Sequence, residues 1–456
     1  MVDVPDALTP ATAPSGPDQS IFLHRGPAIV NAAGGRAGPV TGNVSITLEW
    51  RPSVGVRFRF LPLTGDIFAL DPVDSDDLSL TLPDLAASAP CQIFDQTHTV
   101  FVGTGKEGDV WTGVLEPLEI GTGDRLQELR FNVVNFGRSG GTPIRFRADR
   151  VGPGRRLMEG FGWRVIVDAV DEQHWPGVGA GREVPGRYAV THVGSLTRAD
   201  RTAFAAGDAA PIVDALTYLL SFCRGRHCGI GPVVGLDASG NRCWQRWSIG
   251  KIQALVAKEH SQSWFPPYAA NAAERVFPGL FQKWADPAWQ EVLRLGVDLY
   301  VTANTQDSSQ VSLTIAQSLL ELLSWAVLVE HRGLVLGDWD RVWASDRLRL
   351  LLSFAQIPIG IPPCLGDLAR VMRQRNWVDG PHVVTDLRNI VIHPTKKRRD
   401  DFMSGDLPWE EAARLALWYG ELTILRLCGY HGRYMNRLSA AEGNVPWPEH
   451  AATPLA

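Results

Sequence analysis

The sequence is poor in lysine and has no basic excess. Only six of its 44 basic residues are lysine, and 49 acidic residues bring the net charge to −5. A general nucleic-acid coat protein carries a clear basic excess, so this balance argues against that class. The preference for arginine extends along the whole chain, and arginine abundance by itself therefore carries no functional weight.

Targeting and membrane signals are also missing. Residues 1–20 have neither a basic start nor an apolar run, and their Pro, Ser and Asp content predicts a disordered tail. The most apolar stretch, residues 313–329, contains polar residues and has helical periodicity, which predicts a core helix. Six scattered cysteines exclude a disulfide framework. We therefore expect a cytoplasmic protein without membrane contact.

Motifs for metals and cofactors are sparse as well. The one Cys/His cluster, Cys223, His227, Cys228 and Cys243, lacks the tight CxxC pairs of zinc sites, and its first cysteine falls on an apolar helical pattern. The Gly-rich segment 103–109 lacks the full Walker spacing, which favours a hairpin turn. The HExxH motif of zinc proteases does not occur. The sequence predicts no metal and no cofactor.

What is present predicts an α+β protein of several domains. A length of 456 residues suggests roughly three domains. Short β-branched and aromatic runs separated by turn residues predict an antiparallel, sandwich-like β domain over 21–180. A mixed α/β unit with a helical linker follows over 181–284. The patterns predict an all-α domain over 285–440 and a tail over 441–456.

The all-α domain shows apolar residues at period 3.6. This pattern predicts helices near 288–303, 308–331, 345–356, 363–376, 382–393 and 408–436, with a short helix near Trp339. No internal repeat is visible. The helical bundle is therefore the most regular part of the chain.

One Arg–His pair in this bundle has a context suited to phosphate chemistry. With 38 Arg and 11 His, about three Arg–His pairs with four to six residues between them are expected by chance. The sequence contains four such pairs: Arg187/His192, Arg375/His382, Arg388/His393 and Arg426/His431. Only Arg388/His393 combines an adjacent Asn389, a penultimate-helix position and a helix stop. The other three fall on a strand, a turn or the last helix.

The end of this helix decides whether the Arg388 and His393 side chains can point to the same ligand. Residues five positions apart on a continuous helix lie about 140° apart around its axis. Pro394 disfavours helical angles at His393, so the imidazole can leave the helix end. Arg388 is suited to holding phosphate oxygens, His393 to proton transfer and Asn389 to orienting the phosphate or a 2′-hydroxyl. The alternative is structural: Arg388 pairs with a carboxylate such as Glu321 or Asp386, and His393 ends the helix.

The segment DLRNIVIHP, together with SLLELLSW and GELTILRLCGYHGRY, resembles the Apea-like group of the HEPN superfamily. The resemblance implies a HEPN helical bundle and a metal-independent endoribonuclease. It implies a homodimer with Arg388, Asn389 and His393 at the interface, and an inward acid, Glu321, behind Arg388. We expect Asp386 to support Arg388 in the same way. It also implies a toxin-like role in bacterial anti-phage defence by abortive infection, with a phage or host trigger bound by the β-rich domain.

A local charge count supports RNA as the partner. Residues 366–399 carry eight basic and three acidic residues, a balance of +5. The run Lys396, Lys397, Arg398 and Arg399 follows directly after the motif and could contact neighbouring phosphates. A solvated loop is an equally good interpretation of such a run.

Two other functions remain open. In the first, the HEPN bundle only dimerises, and the β-rich domain recognises a phage or host ligand. In the second, the β-rich domain binds or processes carbohydrate through exposed Trp side chains, which requires clustered surface Trp in the folded domain. Buried Trp would exclude that second function.

Overall fold

Antiparallel β-structure fills the N-terminal half and helices fill the C-terminal third, which confirms the predicted α+β organisation. The computed structural model describes residues 4–10, 12, 16–32, 38–64, 78–100, 107–137, 140–171, 186–255, 262–266, 271–334, 339–393, 395–403 and 405–448. Pro394 and the Gly-rich segment 103–106 lie outside the described residues.

The first unit is a closed six-stranded barrel. Its strands pair in the order β1-β2-β3-β6-β5-β4, with bounds β1 (Ile21–Ala32), β2 (Val40–Glu49), β3 (Gly55–Thr64), β4 (Leu78–Leu82), β5 (Ala87–Val100) and β6 (Glu107–Leu115). Alternate residues such as Val44, Ile46 and Leu48 point inward and are buried. The predicted sandwich is therefore a barrel, whose closure leaves no free edge.

The second unit is an eight-stranded antiparallel sheet in the order β7-β14-β13-β8-β12-β11-β10-β9. Its strands are β7 (Leu118–Gly121), β8 (Glu128–Val134), β9 (Thr142–Arg147), β10 (Arg150–Gly160), β11 (Trp163–Ala169), β12 (Val190–Arg198), β13 (Gly229–Leu236) and β14 (Arg242–Trp247). Strands from both sides of residue 180 share this sheet. The β-rich and mixed units predicted separately are thus joined by their hydrogen bonds.

The two faces of the sheet have different neighbours. Leu129, Phe131 and Val133 of β8 pack in the same core as α1 (Ala206–Arg224) and α2 (Ala272–Trp284). Val134 instead joins the barrel core, together with Trp247. Strand alternation turns Glu128, Arg130 and Asn132 to the barrel side of the sheet. We call this side the outer face.

The helical bundle follows the predicted pattern closely. Its helices are α3 (Pro287–Asn304), α4 (Ser309–Ser324), α5 (Ala344–Ala355), α6 (Gly366–Arg375), α7 (Gly380–Ile392), α8 (Lys396–Met403) and α9 (Trp409–Leu427). A π-helical turn, Trp325–His331, extends α4, and a 3-10 turn, Trp339–Arg341, lies near the predicted short helix. Helix α8 was not predicted.

The last helix is shorter than predicted. It ends at Leu427, and Gly429 adopts a φ of 61°, a left-handed conformation that glycine adopts without steric cost. The chain then forms a hairpin of β15 (Arg433–Asn436) and β16 (Ala441–Asn444). Trp447 is buried, and its Nε1 donates to the Tyr430 carbonyl at 2.9 Å. The predicted tail from 441 is therefore folded as far as residue 448.

Residues Ser309–His331 form a helix that is long and apolar enough to cross a membrane by length and composition. In the folded chain this helix packs against α3 and α9, and 61% of its most apolar window is buried. Core helices pass the same test, so the burial supports the core helix that the sequence predicts.

The Trp side chains of the β-rich domain are buried where they are described. Trp111 is fully buried, and Trp50 and Trp163 are 4% exposed. Trp175 lies outside the described residues. The surface cluster that carbohydrate binding requires is absent from the described part of this domain.

His192 of β12 predicts a pH dependence of stability. Burial, with the Arg156 charge nearby, lowers its pKa from 6.5 to about 3. The unfolded chain therefore takes up the proton first, and stability falls as the pH drops below 6.5 towards 3. We expect this side chain to lower the free energy of unfolding by about 2 kcal/mol between pH 7 and pH 5. Urea unfolding at both pH values measures the loss.

The variant His192→Leu should lose this part of the pH dependence. His98→Leu is the control, because the His98 side chain is 62% exposed. An equal pH dependence in wild type and His192→Leu would show that the buried imidazole does not titrate as argued.

Candidate nucleic-acid interface

Helix α7 begins at clear capping residues and packs its apolar side against the bundle. The Asp379 carboxylate accepts a hydrogen bond from the His382 N–H at 3.0 Å, and Pro381 occupies the first turn. Val383, Val384, Leu387 and Ile390 are buried at helical spacing against α4, α5 and α9. This packing leaves the motif residues on the opposite, partly exposed side.

The helix ends before His393, as predicted. His393 has φ −119° and ψ 75°, outside the helical region, and its N–H still donates to the Asn389 carbonyl at 3.1 Å. The side chain of His393 is exposed. Non-helical angles are those favoured for a residue that precedes proline. The imidazole is therefore free to meet a ligand from solvent.

Arg388 and Asn389 are brought together. Arg388 Nη1 donates to Asn389 Oδ1 at 3.3 Å, and both residues are half-buried. The Nε atom of Arg388 is buried and has no hydrogen-bond partner among the described residues. A buried donor without a partner destabilises a fold, and a bound anion would supply the missing acceptor.

Neither predicted carboxylate pairs with Arg388. The Glu321 carboxylate accepts a hydrogen bond from Gln317 Nε2 at 3.1 Å, and Asp386 accepts one from Trp377 Nε1 at 2.8 Å. Each acid thus has its donor on or beside its own helix, and within the described residues neither contacts the guanidinium. The direct pairing with Arg388 is therefore not seen, and the supporting role of Glu321 and Asp386 stays a prediction.

The basic run forms helix α8, which begins directly beside the motif. The Thr395 N–H donates to the His393 carbonyl at 2.8 Å, and Arg398 Nη1 donates to the same oxygen at 3.4 Å. Lys396, Lys397 and Arg399 are exposed. Within the described residues, no ion pair involves Arg388 or the four basic residues of α8. The Lys397 charge helps to lower the pKa of the Asp401 carboxyl, and the charges of Arg388, Lys396, Arg398 and Arg399 remain available to an anionic partner.

Helix α8 is anchored by Asp401. Arg375 Nη2 contacts Asp401 Oδ1 at 2.9 Å, and this hydrogen bond lowers the pKa of the Asp401 carboxyl. The predicted basic patch is therefore partly neutralised, because Arg370 also pairs with Asp367 at 3.3 Å. Helix α8 is not among the predicted helices, although Thr395 before a charged run is a helix N-terminal signal.

Other positions offer poorer sites for RNA. A cavity of about 530 Å³ opens at the N-terminal ends of α4 and α9, and its lining includes Asp307, Asp367, Glu410 and Glu411. Such an acidic lining repels phosphate. In the described part of the chain, no group of three or more His, Cys, Asp or Glu is arranged to hold a metal ion.

Two segments of the chain match known domain families. Residues 286–446 match the YopA C-terminal domain, and residues 121–255 match the YopA central domain. Both segments are similar to YopA domains. The SPbeta prophage-derived uncharacterized protein YopA of Bacillus subtilis (strain 168) is 29% identical over 356 residues, 75% of this chain and 77% of that protein. No solved structure matches.

The YopA matches can be placed on the fold. The YopA C-terminal match contains α3 to α9 and all the candidate residues of the interface. The YopA central match crosses residue 180 and contains most of the eight-stranded sheet, in keeping with the shared sheet seen in the structure. Neither description names a HEPN domain, so the HEPN resemblance stays a prediction.

Proposed function

We propose that the C-terminal bundle is a metal-independent, HEPN-type endoribonuclease whose phosphate site lies at the C-terminal end of α7. One observation carries the proposal. Arg388 is half-buried with no carboxylate partner among the described residues, and its buried Nε lacks an acceptor. Next to it stand an exposed His393 and the cationic helix α8. A phosphate group would satisfy the guanidinium.

The proposed chemistry needs only these side chains. His393 takes the proton of the 2′-hydroxyl, whose oxygen then attacks phosphorus. The bond from phosphorus to the 5′-oxygen breaks, which leaves a 2′,3′-cyclic phosphate and a 5′-hydroxyl. Arg388 stabilises the charge on the phosphate oxygens, and Asn389 orients the reacting group. A second imidazole, His393 of the partner subunit in the proposed homodimer, protonates the leaving oxygen.

The proposed biological setting is bacterial anti-phage defence in the cytoplasm. In this setting the β-rich domain binds a phage or host trigger, and the released nuclease acts as an abortive-infection toxin. The Bacillus subtilis relative is described as prophage-derived. We infer that this chain shares that origin, which places the nuclease in cells in which phage and host compete.

The direct test is RNA cleavage by the purified full chain in EDTA. We expect shortened RNA with cyclic phosphate ends, and loss of the activity in Arg388→Ala. Arg373→Ala is the matched control, since Arg373 is another arginine of the same basic stretch on the neighbouring helix α6. Intact RNA with wild-type protein, or equal cleavage by Arg388→Ala, would overturn the proposal.

RNA binding should depend on Lys396 and Lys397. The double variant Lys396→Ala/Lys397→Ala loses two exposed charges beside the motif. We expect weaker binding of single-stranded RNA, with the slope of log K against log salt reduced by about 1.4. Filter binding at several salt concentrations measures this slope. The control Arg59→Ala/Arg125→Ala removes two exposed charges from β3 and from the loop before β8 and should leave the slope unchanged.

A second function, a non-catalytic dimerisation module, is favoured by an exposed apolar stripe on α5. Trp343 is 78% exposed, Leu350 37% and Phe354 40%, and helical spacing aligns them on one side. A dimer by size exclusion, combined with no RNA binding or cleavage, would favour this function.

A further inference from the structure

Residues 4–10, in the segment predicted to be a disordered tail, are joined to the edge of the eight-stranded sheet by one bridge between Asp6 and Arg145. We call residues 4–10 and Thr12 the arm. The Ala7 N–H donates to the Arg145 carbonyl at 2.9 Å, and the Arg145 N–H donates to the Pro5 carbonyl at 2.8 Å. The pairing is parallel and lies on β9, the last strand in the sheet order. The arm thus covers an edge that would otherwise be open to another strand.

Side chains of the sheet bind the main chain of the arm. Asp168 Oδ2 accepts from the Leu8 N–H at 2.8 Å, and Arg155 Nη2 donates to the Asp6 carbonyl at 2.8 Å. Asp168 is 1% exposed, and Arg155 Nε holds its other oxygen at 2.8 Å. These charges are fixed in place beneath the arm. Because they bind peptide groups rather than side chains, they can bind other extended sequences equally well.

Asn132 on the outer face is incompletely satisfied by the arm. This residue is 1% exposed, and its Nδ2 donates to Thr12 Oγ1 at 2.6 Å. Its Oδ1 is buried and has no hydrogen-bond partner among the described residues. The Thr12 hydroxyl already accepts the hydrogen bond from Asn132 Nδ2, and it leaves Asn132 Oδ1 unpaired. A side-chain amide at the Thr12 position can accept from Nδ2 and donate to Oδ1 at once.

We propose that this groove, formed by β9, Arg155, Asp168 and Asn132, docks an extended segment of another protein, and that the arm occupies it in the unbound chain. The docked segment carries an acid at the Asp6 position, where Arg145 Nη1 lies 3.2 Å from the arm carboxylate. It carries Asn at the Thr12 position. An arm from a second copy again presents Thr12 and leaves Asn132 Oδ1 unpaired, so arm exchange gains no contact over the chain's own arm, whereas a segment with Asn does.

The first experiment uses the chain without residues 2–15 and fluorescent peptides that correspond to residues 4–16. Fluorescence anisotropy should show binding of the native peptide, and about fivefold tighter binding of its Thr12→Asn form. In the Asn132→Val background the two peptides should bind equally. N-methylation of Leu8 should weaken binding at least about fivefold, because it removes the N–H that Asp168 accepts. N-methylation of Thr9, whose N–H makes no hydrogen bond within the described residues, is the control.

The second experiment uses the intact chain and does not depend on the truncated one folding. A tethered arm has a millimolar effective concentration. The Thr12→Asn peptide at about 0.2 mM should therefore begin to displace the arm. Hydrogen exchange should then show lost protection at the Ala7 and Leu8 amides.

Three results would overturn the proposal. They are unchanged arm protection in the intact chain, equal binding of the Leu8 N-methylated peptide, and an arm-dependent dimer of the intact chain. The last would assign the groove to a second copy.

Discussion

Replacing His393 with alanine is expected to lower RNA cleavage by at least about 100-fold, while RNA binding stays within about twofold. A positioned general acid or base contributes roughly 10²- to 10⁴-fold to a rate. His393 is exposed and ends α7, so its removal leaves no cavity. Binding is expected to survive because Arg388 and α8 carry the phosphate contacts.

The measurement is cleavage of a fluorescent RNA in EDTA, with binding followed separately by anisotropy. His382→Ala is the control, since His382 lies in the first turn of the same helix, at the end away from the motif. Its imidazole accepts a hydrogen bond from the Val378 N–H at 3.3 Å and does not face the motif end. Cleavage by His393→Ala at the wild-type rate would exclude the proposed proton transfer, whatever the RNA affinity.

Replacing Arg437 with methionine is expected to lower the free energy of unfolding by about 3–5 kcal/mol, the usual cost of leaving one charge of a buried ion pair alone. Arg437 is 4% exposed, and Glu421 of α9 is fully buried. Arg437 Nη2 lies 2.6 Å from Glu421 Oε1, and Tyr300 OH donates to the same oxygen at 2.6 Å. Burial alone would lower the pKa of Arg437, but the Glu421 carboxylate more than reverses this.

Urea unfolding at pH 7 measures this loss. The control is Arg433→Met in the same hairpin, since Arg433 is 63% exposed and pairs with Glu442 at 3.1 Å. A surface pair contributes less than about 1 kcal/mol. Similar losses in the two variants would mean that the buried pair does not hold the hairpin to the bundle. Arg437 also donates to Asn304 at 2.9 Å, which ties the hairpin to α3.

The helices were predictable because their signals are local. Apolar residues at period 3.6, a Ser308 or Asp379 cap, and a proline in the first turn lie within a few residues of each other. The observed ends of α3, α5 and α7 fall within two residues of the predicted ones. Helix α8 was missed because it has no buried residue, so no apolar periodicity marks it.

Strand partners were not predictable in the same way. Alternating runs predicted strands in the barrel and in the sheet, but pairing such as that of β7 with β14 joins residues more than a hundred positions apart. No local pattern encodes that choice, because it depends on which apolar faces meet in the folded chain. The same reason explains the folded arm, whose partners Arg145 and Asp168 lie far along the chain.

By itself the sequence determined the helical bundle, the strand-rich half and the position of Arg388, Asn389 and His393 at a helix end. All of these depend on neighbouring residues and backbone angles. Only the tertiary structure decided that Glu321 and Asp386 have other partners, that Arg388 Nε has none among the described residues, and that the arm lies on the sheet. Each of these features depends on distances between groups from separate elements, and the packing of the whole chain sets those distances.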